Sequence, residues 1–402
     1  PQASALPNTL KNVKIGSRAT VETTSGITTA ASENQINRLT IGIFDKDKNL
    51  RILKELTKGT DMTDNTFKLA DSKATAKITT TSDMVGNDVL VAVNAAANAF
   101  STVTNEAGFN AVSEGIGRAL ATSWDDPNAK DGSISTEEEI NNIPMYGSSS
   151  TSGSTKIIDA GSGNLSATIN VQHQLAKITV KSIKVNFSQT GAYKSATFQP
   201  TAFFLINVAN DLTFSDNAWD AAAIAASSTY PANQGYSSTA TDVPTGGLTT
   251  FPYEGYLTTG TFLSAYPALK YLATDVTGTA GGTTDANNIT PNNVFYVTPN
   301  VNTTQNTKLV IEGQFDPDGS GSNAPATTVF YPVSINSTNN SSTTPDGTTT
   351  AKAVYPNKNY NCEIIINTKG STSPYNAIDP AAATVTVTVS PFTNVTQTTE
   401  FD

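Results

Sequence analysis

LSATINVQHQLAKITVKSIKVNF, residues 165–187, is the longest β signal in the chain and decides its fold class. Ile169 and Val171, then Ala176, Ile178 and Val180, then Ile183, Val185 and Phe187 recur in steps of two, the period of a strand with one buried face. The steps slip, which predicts a bulge near Gln172–Gln174 or near Lys181–Ser182. Outward from this stretch the same alternation marks strands at Leu39–Ile43, Lys77–Thr81 and Asp88–Ala95 on one side. On the other it marks Phe203–Val208, Asn293–Thr298, Lys308–Phe315, Val329–Ile335, Asn361–Asn367 and Thr384–Val389. Val89–Val93 is apolar on both faces, which places it centrally in a sheet.

Helices are few. In NEAGFNAVSEGIGRALA, residues 105–121, Phe109, Val112, Ile116 and Leu120 recur at helical spacing behind a suitable N-cap, Asn105. A second short helix fits only Trp219–Ala226. Without alternating βαβ units, a sandwich is favoured over a parallel sheet. A chain of 402 residues exceeds what one core usually fills, so two domains are expected. GSSSTSGSTKIIDAGSGN, residues 147–164, is the sharpest break in composition and reads as a long loop or the junction. The boundaries drawn are 1–18 as a separate first segment, 19–162 and 163–402.

Charged residues make up 14% of the chain, and Thr, Ser, Asn, Ala and Gly take their place, a composition common in secreted β proteins. The net charge of -10, with no cluster of Lys and Arg, argues against nucleic acid as a partner. No apolar run is long enough to span a membrane as a helix. The start at Pro1 is that of a processed or trimmed chain.

The material for catalysis is sparse. Cys362 is the only cysteine and His173 the only histidine, which removes intrachain disulfides and most metal and triad arrangements. His173, between Gln172 and Gln174, reads as a half-exposed strand residue. Neither G-x-S-x-G nor a Walker A pattern occurs, so no catalytic residue, cofactor or metal site is assigned and an enzyme is not expected. Two stretches approach calcium loops. DPNAKDGSISTEEE (126–139) has Asp126 and Asn128 one residue out of register, and DPDGSGS (316–322) meets Thr327 where the closing Glu should stand. Both read more simply as Asp/Gly turns. Tyr230, Tyr236, Phe251, Tyr253, Tyr256, Tyr266 and Tyr271 leave open a sugar-stacking platform, though aromatic pinning of a long loop segment is the simpler reading.

Several blocks, in order, resemble the FimA-type fimbrillins, major subunits of type V pili in Bacteroidales. They are SRA (17–19), LTIGIFD (39–45), GNDVLVAVNAAAN (86–98), IPMYG (143–147), QHQLAKITVKSIKVNF (172–187), NNVFYVTPN (292–300), KLVIEGQF (308–315), VFYPVSIN (329–336), YPNKNYNCEIIINTKGSTSPYN (355–376) and a terminal TEF (399–401). The resemblance implies a mainly β chain of two transthyretin-like β-sandwich domains in tandem, with one or two short helices. It implies export as a lipoprotein precursor to the outer membrane and a place on extracellular fimbriae used for adhesion. Its implied partners are other copies of the chain, accessory and anchor subunits, an Arg-specific protease and a host glycan or protein receptor. Cleavage is implied at Arg18–Ala19, with Arg38–Leu39 as competitor. The removed strand would carry Leu10, Val13 and Ile15, and the donor segment from a neighbouring copy would carry Phe392, Val395 and Phe401. An accessory or tip subunit, or a surface glycan-binding lipoprotein, stays open as the alternative.

Overall fold

The computed structural model describes residues 8–17, 33–58, 67–70, 73–115, 143–161, 164–207, 211–215, 256–259, 268–271, 287–291, 293–302, 306–320, 325–337, 351–374 and 383–391. The chain is mainly β. Its first half contains β1 (Asn8–Ser17), β2 (Arg38–Phe44), β3 (Leu50–Thr57), β4 (Phe67–Ala70), β5 (Lys73–Thr80) and β6 (Asp88–Val93). A short helix α1 (Glu106–Asn110) follows, then β7 (Ser113–Gly115), β8 (Met145–Ser148), β9 (Ile158–Gly161) and β10 (Asn164–His173). The second half contains β11 (Ala176–Val185), β12 (Thr197–Ile206), β13 (Asp211–Thr213), β14 (Tyr256–Thr259), β15 (Leu269–Lys270), β16 (Asn288–Ile289) and β17 (Asn293–Val297). It ends with β18 (Lys308–Asp316), β19 (Thr327–Ser334), β20 (Lys358–Ile366) and β21 (Ala383–Pro391).

The first sheet runs β3-β2-β6-β8-β10-β1-β5-β4, with β9 paired to β10. It curls round a core of Leu39, Ile41 and Ile43, of Val89, Val91 and Val93, and of Leu165, Ala167, Ile169 and Val171. All six residues of β6 are buried, as the apolar run Val89–Val93 predicts. Its other face is covered by ring packing: Phe109 lies 4.2 Å from Phe100 and meets Phe44 edge-on at 5.9 Å. β8 crosses β10 closely, and a Cβ on Gly147 would lie 2.0 Å from the Asn170 carbonyl, so only glycine fits there.

The second half forms a sheet β14-β17-β11-β20-β21, with β16 on β11, and a sheet β15-β12-β18-β19. Ile178, Val180, Tyr360, Cys362 and Ile364 join one core with Phe198, Val310, Phe315 and Tyr331. Phe198 meets Tyr331 edge-on at 5.2 Å, and Phe187 meets Phe315 at 5.7 Å. A two-stranded ribbon, β7 with β13, links the halves.

The alternation across 165–187 is present, but its slip is resolved in two ways. At Gln174–Leu175 the chain leaves the first sheet and enters the second, and at Lys181 the β11–β20 register shifts. The change of sheet thus follows β10 instead of coinciding with the Gly/Ser-rich stretch, which itself holds β9. The long helix expected over 105–121 is a correction. Asn105 does cap α1, its Oδ1 accepting from the Gly108 amide at 2.7 Å, but the helix ends at Asn110. Ser113–Gly115 instead pairs with Asp211–Thr213, a tertiary ladder that outweighs weak helical periodicity in a stretch carrying Gly108 and Gly115. Ile116, Leu120 and the helix expected at 219–226 lie outside the described residues.

Candidate functional site

β1 occupies a slot in the middle of the first sheet. It runs parallel to β10 over seven paired positions and antiparallel to β5 over another seven. In register, Leu10 stands level with Leu165 and Ile78, Val13 with Ala167 and Ala76, and Ile15 with Ile169 and Ala74. Every one of those partners is buried. In the order of strands, β5 and β4 reach the rest of the sheet through β1.

The bond Arg18–Ala19 follows β1 directly and lies outside the described residues, as do Phe392, Val395 and Phe401. The competing bond, Arg38–Leu39, is described and is locked. Arg38 begins β2, Leu39 is fully buried, and the pairing partners on either side are Leu56 and Val93. The Arg38 guanidinium donates to the Ala95 carbonyl at 2.8 Å and lies 3.8 Å from Glu55. A protease needs accessible, unpaired backbone, which this bond does not offer.

The segment leading into β2 is tied down at the passage between the sheets. Glu33, buried, pairs with Lys177 Nζ at 2.6 Å and accepts from the Tyr296 hydroxyl. His173 Nε2 donates to the Glu33 carbonyl at 3.0 Å. The half-exposed histidine expected from sequence is therefore corrected: His173 is 1% exposed, and burial pushes its pKa down to about 4 against the pull of Glu33. The same segment is held further along by Asn94, which, with φ 57°, collects four side-chain hydrogen bonds. Its Oδ1 accepts from the amides of Asn37 and Arg38, and its Nδ2 donates to the carbonyls of Gln35 and Ile143. Sequence reasoning missed this anchor because Glu33 sits in a Thr/Ser-rich run and its partners are more than a hundred residues away.

A second polar cluster fixes the start of β6. Asp88 accepts from Lys156 Nζ at 2.8 Å, Lys48 Nζ at 3.0 Å and Ser149 Oγ at 2.9 Å. Burial pushes its carboxyl up, but donors from Lys156, Lys48 and Ser149 outweigh that and hold it below the usual carboxylate range.

The remaining candidates are modest. Asp316 Oδ1 accepts from the amides of Asp318 and Gly319, and Asp318 Oδ1 from the amide and hydroxyl of Ser320, so these carboxylates close the turn. Among the described residues no three or more His, Cys, Asp or Glu gather in a group able to hold a metal. The stretch 126–139 lies outside them. Of the aromatic set, Tyr271 packs against the second core, and the backbone of Tyr256 belongs to β14. The others are outside the description. Cys362 is buried in β20, which pushes its thiol up to about 12.

No family model matches the chain, and no curated protein matches it in sequence. Solved structures do share its fold. A candidate cell adhesion protein from Bacteroides eggerthii is similar with a TM-score of 0.55 and 20% identity, over 97% of this chain and 98% of that one. A candidate cell adhesion protein from Parabacteroides distasonis is similar with a TM-score of 0.55 and 15% identity, over 97% and 99%. A fimbrilin from Porphyromonas gingivalis is similar with a TM-score of 0.50 and 14% identity, over 96% and 99%.

Proposed function

We propose that the chain is a structural subunit of an extracellular fimbria, assembled by exchange of strands between copies and without enzymatic activity. The observation that carries this reading is the place of β1: it fills an interior position of a sheet and is followed at once by an arginine. Likeness along almost the whole chain to a fimbrilin and to candidate adhesion proteins supports it.

Cutting Arg18–Ala19 turns β1 into a separate peptide held only by non-covalent contacts. Its departure leaves two facing rows of unpaired backbone groups and strips the β4–β5 hairpin of its ladder to the sheet. An extended segment from another copy can restore both ladders. The tail beyond β21, with Phe392, Val395 and Phe401, is the segment assigned to do so. Donor and acceptor surfaces differ, so the contact is head-to-tail and does not close on itself, which yields a filament. Glu33 and Asn94 hold the newly cut chain from residue 33 onward. Two sandwich domains, 19–162 and 163–402, export as a lipoprotein precursor, accessory and anchor subunits and a host receptor complete the reading.

The test is treatment of the whole chain with an arginine-specific protease, followed by gel and electron microscopy. Ladders and fibres are expected, and Arg18→Ala should abolish both. A clean cut after Arg18 that leaves monomers, or fibres that persist after removal of residues 392–402, would overturn the assignment.

A further inference from the structure

Among the described residues, the large hydrophobic side chains left exposed are Val85 and Ile158, at 49% and 47%. Single apolar residues on a surface are ordinary, but these two belong to neighbouring stretches of backbone. The Gly86 amide donates to the Ile157 carbonyl at 2.8 Å, and the Ile157 amide donates to the Asn87 carbonyl at 3.1 Å. Met84 and Ile157 are buried in the first core, while the residue after each is exposed. The pair stands at the mouth of the slot where β1 begins. Asn8 is level with Thr80, and a single 3-10 turn, Ser82–Met84, separates Thr80 from Val85. On the other wall Asn12 is level with Ser166, and Ser166 is level with Ile158 of β9. At the far end Gly16 is level with Lys73 and Ser17 with Val171, and no large apolar residue described there is exposed.

We propose that Val85 and Ile158 form a docking face for a second copy of the chain, the copy whose tail seats in the slot. The inference rests on the exchange reading, and it adds the surface that the body of the donor covers. β21 is paired with β20 along its whole length, and its last residue, Pro391, is level with Lys358. Phe392, the first residue assigned to the slot, follows Pro391 directly. One residue of extended chain spans about 3.5 Å at most, which leaves no linker between the two. A tail that keeps the heading of β1 starts at the mouth, beside Thr80 and Ser166. The donor's Lys358–Pro391 corner is therefore held against Val85 and Ile158. Two half-exposed side chains bury far too little to join free copies, since a stable interface takes about 800 Å² from each partner. Once the tail tethers the two copies, the same contact is intramolecular in effect and its small area counts.

The chain cut at Arg18–Ala19 tests this in two assays. One follows ladders and fibres. The other follows release of the first segment when a synthetic peptide of residues 392–401 is added. In the double variant V85D/I158D the concentration needed for ladders should rise roughly tenfold or more, the factor that burying half of two such side chains implies. Both positions are exposed, so the slot stays whole, and the peptide should displace the first segment as it does from the unaltered chain. Ladders at the unaltered concentration overturn the proposal. Loss of peptide uptake in the variant also overturns it, by assigning the two residues to the slot itself. The occupant is identified by mixing V85C and K358C copies and adding a short thiol cross-linker, to which the buried Cys362 is closed. Cross-links between positions 85 and 358 of different copies are expected in the fibres, and fibres without them overturn the proposal. If the unaltered chain takes up no peptide, the exchange reading falls first and takes this inference with it.

Discussion

β1 and β6 are both interior strands of the same sheet, each paired on two sides, yet they are built to opposite ends. β6 pairs with β2 and β8 without a break, buries every residue, and has its first residue, Asp88, fastened by donors from Lys48, Lys156 and Ser149. β1 pairs with both neighbours through a break in register. The difference teaches that interior position alone does not make a strand permanent. Continuity of the ladder and attachment at the ends do.

The largest effect is expected from equal truncations in the two kinds of strand. Ile41→Ala in β2, the fully buried neighbour of β6, should cost about 3–4 kcal/mol in urea unfolding. Ile15→Ala in β1 should cost less than about 2 kcal/mol, because a bulged strand is less tightly held. Equal losses would break the comparison. The next effect is acid. His173 ends β10, one wall of the slot, and its folded pKa of about 4 lies below its unfolded value. Stability is therefore full above about pH 6.5 and falls as the pH drops to about 4, by about 3 kcal/mol in all. His173→Gln should flatten that slope, and a persisting slope would assign it to other groups. The smallest is Asp88→Asn, expected to lower stability by about 1–2 kcal/mol near neutral pH. Its contribution has the usual carboxylate sign, present above the unfolded pKa and lost as the pH falls through the lowered folded one. A neutral outcome would show that the start of β6 needs no fastening.

What could be read from sequence was local. The alternation of 165–187, the doubly buried run at β6 and the cap at Asn105 are properties of neighbouring residues, and they survive in the fold. The helix expected over 105–121 stops at Asn110 because a distant partner, Asp211–Thr213, claims Ser113–Gly115. His173 looked half-exposed because Gln172 and Gln174 flank it, whereas its surroundings come from Glu33 and Lys177. Likewise, Leu10, Val13 and Ile15 were visible as apolar residues, but that they stand between β5 and β10 is a long-range pairing no window of sequence contains.

The slot has one parallel wall and one antiparallel wall, and the two ladders space their hydrogen bonds differently. A segment entering backwards would run antiparallel to β10 and parallel to β5, so only the heading of β1 keeps each wall's present ladder. In a fibre joined this way every link would point along the same heading. The two ends of the fibre would then be chemically unlike, one offering an open slot and the other a free tail, and growth and anchoring would have separate addresses.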